Sequence, residues 1–183
     1  MALDGLQSLL EHCIRKYKKN YKTIVSKIHL VRYADDFIVT AKDRETIETV
    51  ILPLVRNFMT ERGLTLSEEK TKITHISEGF DFLGFNIRKF PNNTLLTQPS
   101  GDAKKRFCDK IRKVIESNKT AKQHSLIKML NPIITGWGNY YKYGTSAETF
   151  HRVDWEIHRK LWQWARRRHS NKSKGWIKDK YFK

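Results

Sequence analysis

Two short runs, Ile28-His29-Leu30-Val31 and Phe37-Ile38-Val39-Thr40-Ala41, flank the tetrapeptide Tyr33-Ala34-Asp35-Asp36. Both are rich in β-branched and aromatic residues and read as short strands. The pattern is a β-hairpin with two adjacent carboxylates at its tip. Neighbouring carboxylates repel and are costly to hold close without a cation. Hard divalent ions such as Mg²⁺ relieve that repulsion and take oxygen ligands. Asp35 and Asp36 are therefore candidate catalytic and metal-binding residues for phosphoryl transfer. The plainer alternative is a polar turn, where Asp is common.

Charge narrows the partner. The 183 residues carry 36 Lys and Arg against 19 Asp and Glu, a net of +17. Residues 1–99 hold 15 basic and 12 acidic side chains, a net of +3. Residues 100–183 hold 21 and 7, a net of +14. A surplus of that size suggests a polyanionic partner, nucleic acid first. The shift places a domain boundary near Pro99-Ser100-Gly101, giving domains 1–99 and 100–183. No apolar run approaches a membrane span and no signal peptide is visible, so no membrane partner is expected and the expected location is the cytoplasm. Cys13 and Cys108 lack metal-ligand spacing and read as small buried hydrophobes. The seven histidines are scattered, with none at metal-ligand spacing to Cys or Glu.

Hydrophobic periodicity orders the elements. Residues 1–19 read as a helix with Leu3, Leu6, Leu10, Cys13, Ile14 and Tyr17 on one face. Asp43 can cap a helix running to about Arg62, with Gly63 as its C-cap and Pro53 kinking or splitting it. Short strands are expected at about Lys72–Ile76 and Phe80–Ile87, the second with Gly84 at a bulge or a close backbone approach. The second half reads as helical: one helix from near Ser100, one over Gln123–Leu130 broken by Asn131-Pro132, and one carrying Trp137, Tyr140 and Tyr141. In that third helix Gly136 and Gly138 weaken the helix or allow close packing. A long helix follows a capping box at Thr145-Ser146-Ala147-Glu148. The fold class is α+β, with an antiparallel sheet and helices first and an all-α region after.

The basic surface is concentrated in two stretches. One holds Lys104, Lys105, Arg106, Arg112 and Lys113. The other runs from Trp162 through Arg166, Arg167 and Arg168 to Lys172 and Lys174. Arg offers a planar donor fork to phosphate, and Trp a stacking face to an unpaired base. These are the candidate RNA-binding residues. Trp164 fits the apolar face of its helix and is expected in the core.

In order along the chain, these motifs resemble a known family. Tyr33-Ala34-Asp35-Asp36 resembles the metal-binding motif of reverse transcriptases, and Gly63–Lys72 the next palm motif. Phe80-Asp81-Phe82-Leu83-Gly84-Phe85 resembles the primer grip, with Phe82, Leu83 and Gly84 at its centre. Asn131–Tyr141 and Trp164–His169 resemble the thumb-like maturase region, domain X. The whole resembles a group II intron reverse transcriptase/maturase, an RNA-directed DNA polymerase family. The resemblance implies a partial palm followed by thumb and maturase region, a two-Mg²⁺ site, and intron RNA as partner, bound to assist splicing and mobility. Primer-template nucleic acid, a separate N-terminal half and self-association are further candidate partners. It also implies a C-terminal fragment, without fingers or the palm strand that bears the other catalytic Asp. Two-metal phosphoryl transfer needs carboxylates that fix both ions. The isolated chain is therefore expected not to polymerise DNA. Lys70 and Lys72 receive no role. The competing expectations are a basic helical DNA-binding module and a non-functional intron remnant.

Overall fold

The computed structural model describes residues 3–12 and 28–182. Two compact units divide the chain after Ile73.

In the first unit, residues 6–12 form helix α1. Cys13, Ile14, Tyr17 and the basic run that ends the expected first helix lie outside the described residues. Strands β1 (His29–Tyr33) and β2 (Asp36–Thr40) pair antiparallel, from His29 opposite Thr40 to Tyr33 opposite Asp36. The hairpin is the one the flanking runs dictate. Asp43 caps α2 (Arg44–Thr46), its carboxylate accepting from the Thr46 amide at 2.8 Å and hydroxyl at 2.7 Å. The helix widens into a π segment over Ile47–Ile51 and continues as α3 (Leu52–Thr60). Pro53 neither splits nor ends it. Proline lacks the N–H that would bond four residues back, and its ring crowds that carbonyl. Here it stands in the first turn of α3, directly after the wider turns. Gly63 terminates the helix at φ +67°. Leu3, Leu6 and Leu10 are buried with Ile51, Val55, Phe58 and Met59, and Leu30, Phe37 and Val39 of the hairpin pack against them. Each fully buried side chain of this kind contributes about 1.5–3 kcal/mol.

The second unit opens with a three-stranded antiparallel sheet, β3 (Phe80–Phe82), β4 (Phe85–Lys89) and β5 (Leu95–Pro99), in that order. Two sequence expectations change here, and one strand is added. No strand forms at Lys72–Ile76. The Phe80–Ile87 run is a hairpin, with Leu83-Gly84 as its two-residue turn and Phe82 opposite Phe85. β5 comes from a stretch that the alternation did not single out. The junction at Pro99-Ser100-Gly101 is continuous and lies inside this unit. Buried Ser100 caps α4 (Gly101–Ser117), accepting from the Ala103 amide at 3.1 Å.

α5 (Gln123–Tyr141) passes unbroken through Pro132. Pro132 and Lys128 are both exposed, so water can reach the helix where the proline supplies no N–H, and the loss is tolerable. Gly136 and Gly138 have open space beside them and serve no close contact. α6 (Ala147–Arg168) starts without the expected capping box. Ser146 turns its hydroxyl back to donate to the Tyr141 carbonyl at 2.8 Å, and Glu148 pairs with Arg152 instead. A last helix, α7 (Lys174–Tyr181), begins at Ser173. The core unites Phe107, Ile111 and Ile115 of α4, Leu126 and Leu130 of α5, Val153, Ile157, Trp164 and Ala165 of α6, and Ile177 of α7. Cys108 lies half-buried beside it, and burial pushes its thiol up.

Candidate nucleic-acid interface

The carboxylate pair sits where the sequence places it. Ala34 and Asp35 form the two-residue turn and Asp36 opens β2, both carboxylates exposed. Ala34 holds φ +51°, a conformation that costs an L-residue on the order of 1–3 kcal/mol and that clusters at functional sites. Exposed carboxylates on adjacent residues can ligate a hard cation. Among the described residues, no group of three or more His, Cys, Asp or Glu converges to hold a metal ion. The donor set in hand is therefore incomplete for two ions, which need more shared carboxylates than one pair supplies.

Phe82, Leu83 and Gly84 lie at a tight hairpin turn. Leu83 and Gly84 hold φ +50° and +79°, the paired positive values of a type I′ hairpin turn. The Ser100 amide donates to the Gly84 carbonyl at 2.8 Å and the Tyr140 hydroxyl to the Leu83 carbonyl at 2.8 Å. A Cβ at Gly84 would stand 2.5 Å from the Tyr141 hydroxyl oxygen. Phe85 lies against Tyr140 and Tyr141 at ring distances of 5.4 and 4.8 Å. The sequence marks the Asn131–Tyr141 motif and this turn separately; the structure joins them.

The basic residues divide into groups. Lys104, Lys105, Arg106, Arg112 and Lys113 project from α4, Lys104 half-buried and the others exposed. Trp164 is core, as its spacing indicates, with its indole N–H donating to the Asn118 carbonyl at 3.0 Å. Trp162 is half-buried against Phe182. Arg166 and Arg167 are exposed. Arg168 differs from its neighbours. Its guanidinium donates to the Lys119 and Ala121 carbonyls at 3.1 and 2.7 Å and lies over the Trp164 ring. It clamps the α4–α5 loop. Lys172 and Lys174 flank the start of α7, with Lys172 over the Trp176 ring.

Between α4, that loop and α6 runs a groove of about 450 Å³. It gathers Arg112, Arg167 and Arg168 and adds Lys119 and Lys160, with Glu116, Gln163 and His169 also in its walls. Lys119 and Lys160 escape a reading of the sequence because neither lies in a basic run, and Gln163 because it is an uncharged member of one. His169 accepts or donates a 2.7 Å hydrogen bond with the Tyr181 hydroxyl. Partial burial, then the charges of Lys180, Arg168 and Lys172, hold its imidazole below the usual range.

Comparison with known proteins bears on this arrangement. Residues 6–87 match the family described as Reverse transcriptase (RNA-dependent DNA polymerase). Residues 104–182 match the Group II intron, maturase-specific domain. The chain belongs to the group II intron reverse transcriptase/maturase family. Within that family it is 38% identical over 105 residues to the group II intron-encoded protein LtrA of Lactococcus lactis subsp. cremoris, covering 51% of this chain and 17% of LtrA. It is 31% identical over 160 residues to an uncharacterized 91 kDa protein in the cob intron of Schizosaccharomyces pombe, covering 71% of this chain and 20% of that protein. The chain thus spans about a fifth of the length of these two relatives. The carboxylate hairpin and the Phe82–Gly84 turn fall in the reverse-transcriptase match, and the groove in the maturase match. Reverse transcriptases generally use divalent metal ions, so the hairpin carboxylates belong to a metal-dependent family. Among the described residues no helix is long and apolar enough to cross a membrane.

Proposed function

We propose that the chain binds group II intron RNA through the groove between α4 and α6 and so assists splicing and mobility of the intron. The observation that carries this is the clustering of Arg112, Lys119, Lys160 and Arg167 around one groove in a maturase-specific region. Ammonium and guanidinium groups neutralise backbone phosphate and release its counterions. Glu116 and Gln163 offer an acceptor and an amide to base edges within the same groove. Filter binding of intron RNA to the wild type and to a Lys160→Ala/Arg167→Ala variant tests it. The variant should bind more weakly at every salt concentration; equal binding would refute the assignment.

The finer assignments follow the same family. Residues 1–99 act as palm and 100–183 as thumb and maturase region. Asp35 and Asp36 supply part of a two-Mg²⁺ shell, and Phe82, Leu83 and Gly84 grip a primer strand on primer-template. The remaining carboxylate ligands come from a separate N-terminal half. The 183 residues alone do not polymerise DNA. The support is chemical: among the described residues one carboxylate pair stands without a converging third group, too few ligands for two ions.

A further inference from the structure

One side of α6 carries a pattern that the basic runs do not reveal. Arg152, Trp155, Arg159, Trp162 and Arg166 recur in alternating steps of three and four residues, so they share one side of the helix. Lys160, Trp164 and Arg167 face the groove from a different side, about a third of a turn away. Trp155 is 62% exposed, the most exposed tryptophan among the described large hydrophobics. The Arg159 guanidinium lies 5.5 Å from its ring centre. Trp162 is braced by Phe182 at 5.4 Å. A lone exposed tryptophan needs no explanation. This one stands in a row where guanidinium and indole alternate.

We infer that this side of α6 is a second RNA-contact surface, one that takes an unpaired strand by stacking a base on Trp155. The inference rests on the chain being an RNA binder, but on a different face from the groove. Guanidinium groups are matched to phosphates, and an indole face is matched to any base free of a duplex. A duplex stacks its bases internally and leaves Trp155 nothing to cover. Arg152 and Arg159 are paired with Glu148 and Glu156 on the same helix. Exposed pairs of this kind are weak, and a phosphate can displace the carboxylate.

The test uses the full chain, a short unstructured oligoadenylate and a blunt RNA duplex at one ionic strength. Trp155→Ala should weaken oligoadenylate binding about tenfold and leave the duplex unchanged, since stacking acts on free bases only. Trp155→Phe should retain most of the affinity. Unchanged oligoadenylate binding by Trp155→Ala overturns the inference, as does an equal loss on both probes. Loss of self-association in light scattering, with RNA affinity intact, also overturns it and makes the face a protein interface. Silent stripe variants beside a weakened Lys160→Ala/Arg167→Ala variant defeat this inference alone. If both sets bind as wild type, the groove assignment falls with it.

Discussion

Gly84 meets two demands at once, a left-handed backbone and a hydroxyl in the space a methyl would fill. Tyr141 cannot swing aside, because it is buried among Phe85, Trp137 and Tyr140. Gly84→Ala should therefore cost about 2–3 kcal/mol in denaturant unfolding. Tyr141→Phe in the same chain should recover the part due to the clash. Ala34 presents the opposite case, an alanine where glycine is easier. Ala34→Gly should stabilise the first unit by up to about 1 kcal/mol, read as a higher denaturant midpoint. The sequence marks Gly84 for a bulge or a close approach; the close approach is there, but in a hairpin turn instead of a bulge. Type I′ turns favour Asn-Gly or Asp-Gly, and apolar Leu83 conceals the turn inside a strand-like run. The Tyr140 contact, 57 residues away, has no local signal at all.

At the scale of elements, local propensity is legible where burial supports it and misleading where tertiary packing overrides it. The β1–β2 hairpin and the Asp43 cap follow from their residues. Pro132 does not break α5, because Leu126, Leu130 and Tyr141 anchor the helix on both sides of it. α7 is hidden by a polar stretch whose main buried anchor is Ile177. Ser100 caps α4 and also donates its amide to Gly84, so Ser100→Ala should cost about 1 kcal/mol through the cap alone. The α6–α7 junction should respond to pH. His169 packs on Trp176 and Tyr181 as neutral imidazole, with its folded pKa below the ordinary 6.5. A depressed folded value makes its contribution complete above about pH 6.5 and lost as pH falls through the folded value. Trp176 fluorescence should report loosening of α7 on acidification, and His169→Gln should flatten that response.

For the molecule as a whole, the uneven charge is plain in the sequence and points correctly to a nucleic-acid-binding family. The groove is not plain, because its cations come from α4, a loop and α6, and only folding brings them together. The carboxylate pair is plain, but whether other ligands converge on it is a three-dimensional matter. With Mg²⁺ and a primer-template, the 183-residue chain should extend primer no better than an Asp35→Ala/Asp36→Ala variant; incorporation abolished by that change would show a complete site. RNA binding by the +14 half through the groove is read from intron RNA affinity against salt for the wild type and Lys160→Ala/Arg167→Ala. Affinity should fall steeply with salt, and the double variant should lower the log–log slope by about 2, one for each lost phosphate contact. A flat wild-type response, or an unchanged slope in the variant, would contradict binding through the groove.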